Sequence, residues 1–283
     1  MRRSATCFET VEIKFPSTTQ TKIYLPDIPI LRNREILRVF STYDFNTSKS
    51  PLNRSVVNTT VFGKTFLTLS MKGKEKINRF PIENLNPFAS DYGPFWINDV
   101  IDFTKSFIEV GEPSSISASE SVLLFFEYYD PQYAHQVYTD KLRCENIEVI
   151  VKDTGVQRFA FPDNENLRGM FIKYIFFNST LSYTPSGFPT VNSTVRNYTF
   201  LSLVKGGVEL INKVPLNLFA TSLRNNVRLE LGNIQVDQTQ CYFWVPTTTG
   251  LVANEAFFIN VFYFDPADQA PRNAAAPRQI RRT

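Results

Sequence analysis

The sequence predicts an all-β fold, organised as two similar β-sandwiches in tandem. Three observations predict it: a long in-register repeat, a surplus of aromatic residues, and many short alternating segments separated by turn residues.

The repeat is read directly from the text. "TFLTLSMKGKEKINRFP" (Thr65 to Pro81) aligns without a gap with "TFLSLVKGGVELINKVP" (Thr199 to Pro215), an offset of 134, and nine of the seventeen positions are identical. Thr68 against Ser202 and Arg79 against Lys213 are close swaps. "LPDIPILRNREILRVF" (Leu25 to Phe40) aligns with "FPDNENLRGMFIKYIF" (Phe161 to Phe176) at 136, and "FFEYYDP" (Phe125 to Pro131) with "NVFYFDP" (Asn260 to Pro266) at 135. "VEIKFP" from Val11 resembles the text at Glu148 to Lys152. Blocks in one order at nearly one spacing imply two copies of a domain, each long enough to hold its own core. The expected organisation is an arm over 1–7, a first domain over 8–131, a linker over 132–145, a second domain over 146–266 and a basic tail over 267–283.

The elements follow in order. The 283 residues include 26 Phe and 12 Tyr, which suit a pleated, half-buried surface. "TKIYLP" places Ile23 and Leu25 on one face. "EILRVFSTYDF" alternates Leu37 and Val39, then Tyr43 and Phe45. "VFGKTFLTLSM" reads as one strand with Phe66 and Thr68 on one side, Leu67 and Leu69 on the other. "SVLLFFEYYDP" is apolar on both faces and reads as a central strand. The second copy supplies "FIKYIFFNSTLSY", "TFLSLV", "VRLELGNIQV", "QCYFWVP" and "EAFFINVFYFDP". Gly73 and Gly207 are expected at turns needing positive φ. "PIENLNPFASD" and "PLNLFATSL" each allow one short helical turn after Pro81 or Pro215. The segment from Pro131 to Asn146 reads as a short helix or an ordered linker. Asp130-Pro and Asp265-Pro end the last strand of each copy, because proline cannot donate to a ladder. Many short strands, long polar loops, the length of each copy and the lack of a Cys…Trp…Cys pattern favour a jelly roll over an immunoglobulin-like sandwich, so the expected fold class is two tandem jelly-roll β-sandwiches related by internal duplication.

The chemistry points away from catalysis. His135 is the one histidine and cannot build a multi-histidine metal site, nor a second triad in the other copy. Phosphate-binding glycine loops and nucleophile elbows do not occur. Cys7, Cys144 and Cys241 are odd in number and far apart, which predicts three free thiols and neither a disulfide framework nor a zinc site. No cofactor or metal is expected. Paired carboxylates in a cleft would suit a glycosidase, but Trp96 and Trp244 flank no evident pair of acids, and Asp130 and Asp265 read as turn initiators. Asn46, Asn53, Asn58, Asn178, Asn192 and Asn197 begin Asn-x-Ser/Thr triplets and read as polar loop text. The start "MRRSATCFET" has no apolar core of a secretory signal, so synthesis in a cytoplasm is expected.

Net charge is +3 and unevenly placed. Arg272, Arg278, Arg281 and Arg282 lie in a tail without acids, and Arg2 and Arg3 open the chain. Removing these six charges leaves residues 4–270 at −3. Basic ends on an acidic body predict tails that meet an anionic surface.

On the two repeated blocks and the matching ends "YYDP" and "YFDP", the chain resembles the double jelly-roll major capsid proteins of tailless, membrane-containing icosahedral bacteriophages. The resemblance covers residues 8–266. It implies a structural virion protein and not an enzyme, whose two barrels stand side by side and whose homotrimers form pseudo-hexameric capsomers that tile a shell. It also implies neighbouring capsomers and minor capsid or penton proteins as partners. Arg2, Arg3, Arg272, Arg278, Arg281 and Arg282 would then face inward, toward an anionic lipid membrane or the packaged genome. Aromatic side chains exposed on the body would supply the trimer interface. The alternatives are a carbohydrate-binding or adhesive tandem β-sandwich, such as a virion spike or tail-fibre module, and a jelly-roll glycosidase.

Overall fold

Strand-forming text becomes strand throughout the structure, a computed structural model that describes residues 6–15, 21–41, 49–52, 54–85, 96–111, 116–117, 120–130, 132, 142–177, 182–219 and 230–268. In chain order the first half holds β1 (Thr6–Lys14), β2 (Lys22–Tyr24), β3 (Glu35–Phe40), the helical turn α1 (Thr59–Gly63), β4 (Thr65–Met71), β5 (Lys74–Pro81), β6 (Trp96–Val100), β7 (Asp102–Val110) and β8 (Ser121–Tyr129). The second half holds β9 (Arg143–Ile150), β10 (Arg158–Ala160), β11 (Phe171–Phe176), α2 (Ser193–Asn197), β12 (Phe200–Lys205), β13 (Val208–Pro215), β14 (Glu230–Ile234), β15 (Tyr242–Trp244) and β16 (Ala256–Phe264).

These strands form three sheets. One four-stranded sheet runs β2-β7-β4-β5 and another β14-β11-β16-β9, while an eight-stranded sheet runs β10-β15-β12-β13-β1-β8-β3-β6. The eight-stranded sheet is shared between the halves. Its join is parallel, β13 against β1, with Phe8 opposite Ile211 and Glu9 opposite Asn212. All other strand pairs in the sheets are antiparallel, as in β1 with β8 from Thr6↔Tyr129 to Lys14↔Ser121. The buried apolar side chains form one continuous cluster that draws on both halves. β8 has the widest share, buried from Ser121 to Tyr128, because it lies between β1 and β3 in its sheet. In the second half Phe161, Phe243, Phe257 and Phe159 make a chain of ring contacts with centroids 5.0 to 5.1 Å apart. Each fully buried ring contributes about 1.5–3 kcal/mol by leaving water.

The most informative local device lies in the repeated text. β4 and β5 meet at Lys72-Gly73, φ 51° and 76°, and β12 and β13 at Gly206-Gly207, φ 57° and 78°. Two positive φ values in succession make the turn that suits the twist of a two-residue hairpin. Further along, Arg79 and Lys213 are held at φ 52° and 47°, a conformation that costs an ordinary residue about 1 kcal/mol or more. The Arg79 backbone N–H donates to Thr68 Oγ1 at 3.1 Å, and the Lys213 N–H to Ser202 Oγ at 3.1 Å. Both hairpins shift register next to these hydroxyls. The close swaps Thr68/Ser202 and Arg79/Lys213 therefore preserve one irregularity: a hydroxyl that satisfies the N–H of a kinked residue. The same offset governs the helical turns. Asn58 and Asn192 cap α1 and α2, accepting from Val61 N and Val195 N at 3.0 Å each.

Four expectations need correction. "VFGK" is not strand: the Asn58 cap and the Val61 carbonyl, which accepts from Thr65 Oγ1 at 2.6 Å, wind it into α1. In β3 a register shift between Ile36 and Arg38 breaks the alternation, so Ile36, Val39 and Phe40 are buried while Leu37 is only half-buried. Asn58 and Asn192 are helix caps and not featureless loop text. No phenylalanine among the described residues is exposed, and Tyr24 and Tyr183 are the exposed aromatics there, so the many exposed rings expected on the body are not found among those residues. Conversely, the short turns after Pro81 and Pro215 exist, as 3-10 turns at Ile82–Leu85 and Leu216–Phe219. Tyr43, Phe45 and His135 lie outside the described residues.

Removing the hydroxyl beneath either kink leaves a part-buried N–H without its acceptor, which costs about 1 kcal/mol. Thr68→Val and Ser202→Ala are expected to lower unfolding free energy by that amount each, measured by urea denaturation. Losses under ~0.5 kcal/mol would show that the kink does not depend on the hydroxyl.

Candidate functional site

The concave surfaces were the first place to seek chemistry. A cleft of about 570 Å³ is lined by Asp27, Arg32, Asn33, Lys72, Asp102 and Thr104, among others. Its counterpart in the second half, about 410 Å³, is lined by Asp163, Arg168, Gly169, Lys205 and Asp237. The acids in both clefts are committed. Asp27 accepts from Arg32 and Asp163 from Arg168, and each carboxyl is held below its ordinary range by that bond. Asp102 is lowered first by Thr104, and Asp237 first by Lys205, 2.8 Å away, then by the Gly206 N–H. A glycosidase needs one carboxyl raised so that it can donate a proton. Here every acid with a displaced value is displaced the other way. Glu148 and Asp153 face a third cleft of about 430 Å³, where they accept backbone N–H groups of Ser186 and Gly155. Among the described residues no cluster of three or more His, Cys, Asp or Glu is placed to hold a metal ion. No helix there is long and apolar enough to cross a membrane.

The acids displaced upward lie elsewhere: Glu9 and Glu127 are buried, and Glu255, raised by burial against the pull of the Asn192 backbone and Arg196, is half-buried. Glu9 lies on β1 at the seam between the halves, 5% exposed. Burial pushes its carboxyl up to about 8, Glu209 adds to the rise, and the Asn212 amide and Lys213 oppose it. Asn212 Nδ2 donates to Glu9 Oε1 at 2.7 Å, and Thr10 Oγ1 donates to the Lys213 carbonyl at 2.8 Å. The Trp244 indole N–H donates to the Pro51 carbonyl at 2.8 Å, a further bond from one half to the other. The seam is thus a short polar join inside an apolar surround. Glu127 is also raised, by burial, with Arg38 opposing as its ion-pair partner.

The thiols are free, as expected. Burial pushes Cys7 and Cys241 up to about 12, so neither is a nucleophile at neutral pH. Asp130 and Asp265 do initiate turns, accepting from Gln132 N and Ala267 N at 3.1 and 2.8 Å. They also pair with Arg34 and Arg143 at 3.0 and 2.9 Å, partners that local turn chemistry did not reveal. Arg2, Arg3, Arg272, Arg278, Arg281 and Arg282 lie outside the described residues. The polar seam had escaped the sequence reading, although the identity of Asn78 with Asn212 in the repeat was its available signal. Compared with known proteins, the chain matches no family model and no curated protein sequence.

Glu9 makes the seam sensitive to pH. Its native value near 8 stands above the ordinary 4.5, so between these values the native state keeps a proton that the unfolded state has lost. Stability from this group is greatest at low pH and falls as pH rises through that window, by at most ~1.4 kcal/mol per unit. Glu9→Gln keeps an oxygen for Asn212 and does not titrate. Denaturant unfolding at pH 5, 6, 7 and 8 is expected to show a shallower decline in Glu9→Gln, which becomes the more stable protein at pH 8. Equal slopes would show that Glu9 is not held neutral.

Proposed function

We propose that the chain is a double jelly-roll major capsid protein that trimerises into pseudo-hexameric capsomers and tiles an icosahedral shell. The observation that carries the reading is the edge-to-edge join of two like-built sandwiches, β13 to β1. Each half contributes eight strands, ordered 1-8-3-6 and 2-7-4-5 in the first half and in the same interleaving, counted from β9, in the second. That interleaving is the one a jelly roll requires. Pairings recur at the sequence offsets: Glu35↔Tyr129 as Phe171↔Phe264, Leu69↔Ile77 as Leu203↔Ile211, Lys22↔Glu109 as Arg158↔Trp244. Clefts whose acids are tied up in ion pairs favour a role in shape over one in catalysis.

The basic ends fit an inward-facing role. Thr6, where β1 begins, pairs with Tyr129, just before the connector between the halves. Tyr263, near the end of β16, pairs with Arg143, just after it. β1 therefore begins, and β16 ends, beside the ends of β8 and β9. Arg2, Arg3, Arg272, Arg278, Arg281 and Arg282 meet an anionic lipid surface, or the genome, from there. Each contributes about 1 kcal/mol near such a surface, which is weak in one chain and strong in an array.

Light scattering of the purified chain, with electron microscopy of its source particles, tests the main reading. The expected outcome is three copies of the 32.5 kDa chain per particle in solution and regular shells in the source. A persistent monomer without shells would favour the adhesive or carbohydrate-binding alternative. For the tail, flotation on anionic vesicles is expected to fall several-fold when residues 271–283 are removed, and to weaken with salt. Equal binding by the truncated chain would remove the tail from the account.

A further inference from the structure

The seam uses one edge from each half, β1 of the first and β13 of the second. Their counterparts by offset are β9 and β5, and among the described residues both stand at the end of a sheet: β14-β11-β16-β9 and β2-β7-β4-β5. An unpaired edge presents a row of N–H and C=O groups to whatever can match it. We propose that β5 of one copy pairs in parallel with β9 of a second copy, Ile77 opposite Cys144 and Asn78 opposite Glu145, so that the join within the chain is repeated between chains. The proposal deepens the capsomer reading and rests on it.

The register follows from the pairs on the page. β1 with β8 and β9 with β16 align when residues of β1 are advanced by 136 and those of β8 by 135. Phe8 and Glu9 then correspond to Cys144 and Glu145. Ile211 and Asn212 correspond to Ile77 and Asn78 at 134. The side chains that recognise one another at the seam, Asn212 and Glu9, are thus the same residue types at the free edges, Asn78 and Glu145. The second bond also has a counterpart: Thr10, which donates to the Lys213 carbonyl, corresponds to Asn146, whose side-chain amide is the donor that the Arg79 carbonyl would meet in the paired edges. Glu145 already accepts from Asn166 Nδ2 at 2.8 Å through Oε2 and from its neighbour's N–H through Oε1. A carboxylate has about four acceptor sites, so room for Asn78 remains.

Burial marks the same edges as unfinished. Cys7 and Phe8 are fully buried, while Arg143 and Cys144 are exposed; Asn212 and Lys213 are half-buried, while Asn78 and Arg79 are exposed. Asn212 and Asn78 are one residue type in one register, and the exposure follows the edge: lower at the joined one and higher at the other. A β5-to-β9 contact is head-to-tail, and such contacts close into a ring when the rotation divides a full turn. With a matching join inside each chain, three chains place six sandwiches around one axis.

The test uses the full chain with Cys144→Ser, Asn78→Cys and Glu145→Cys, oxidised gently after assembly. The expected result is a ladder of two and three linked chains on a non-reducing gel. The control, Glu9→Cys with Asn212→Cys in the same background, is expected to link within one chain and to run as a single chain. Wild-type protein gives a second readout without new cysteines at the join. Cys7 and Cys241 are 0% exposed, so maleimide labelling of the folded protein reads Cys144, and assembly is expected to slow it at least ~10-fold. Trimers that form without linking chains, with Cys144 as reactive as in the separated chain, would overturn the pairing and leave the capsomer reading standing. A chain that remains single by light scattering would overturn both.

Discussion

Backbone groups at a sheet edge must find partners or water, and in this protein that constraint organises the halves relative to each other. β13 supplies a parallel neighbour for β1, which fuses two four-stranded sheets into one of eight strands. The pairing is short, so side chains support it: the Asn212 amide on Glu9, the Thr10 hydroxyl on the Lys213 carbonyl and the Trp244 indole on the Pro51 carbonyl. The Glu9 carboxyl is pushed up to about 8 at the join, because burial raises it more than the Asn212 amide and Lys213 lower it. A charged carboxylate there would be costly. A neutral one adds directional bonds that fix the register of one half on the other, at little expense to the apolar packing around it.

What the two halves share is backbone geometry more than chemistry. Arg79 and Lys213 have the same positive φ, and Thr68 and Ser202 satisfy their N–H groups in the same way. Asn98 and Asn233 form a further pair of positive-φ residues at corresponding places in β6 and β14. The ion pairs Asp27–Arg32 and Asp163–Arg168 recur on the clefts. Core positions drift more freely: Ile82 stands against Leu216 and Leu85 against Phe219, buried in both halves. Apolar packing tolerates such exchange when volume is made up nearby, whereas a kink or a cap accepts few residue types. This accounts for short identical blocks amid otherwise dissimilar text.

Much of this was legible in the sequence. The repeat, the strand texture, the central place of β8 and the turn glycines all follow from residue patterns. The errors have a common cause, since alternation rules assume regular strands. At Leu37 and before Thr65 the chain is irregular, through a register shift and a capped helical turn. The salt bridges of Asp130 and Asp265 were hidden because their partners, Arg34 and Arg143, lie far away in sequence. The seam was hidden for a related reason. Asn78 and Asn212 look alike in the text, and only the sheet order tells that one is joined and the other is free.

Cryo-electron microscopy of the assembled protein, at a resolution that separates strands, tests the central claim most directly. The account predicts six similar sandwiches from three chains around one axis, with strand density continuing at a spacing of about 4.8 Å across all six junctions. Continuous sheet at only the three junctions inside chains, with gaps or loop contacts at the other three, would contradict it.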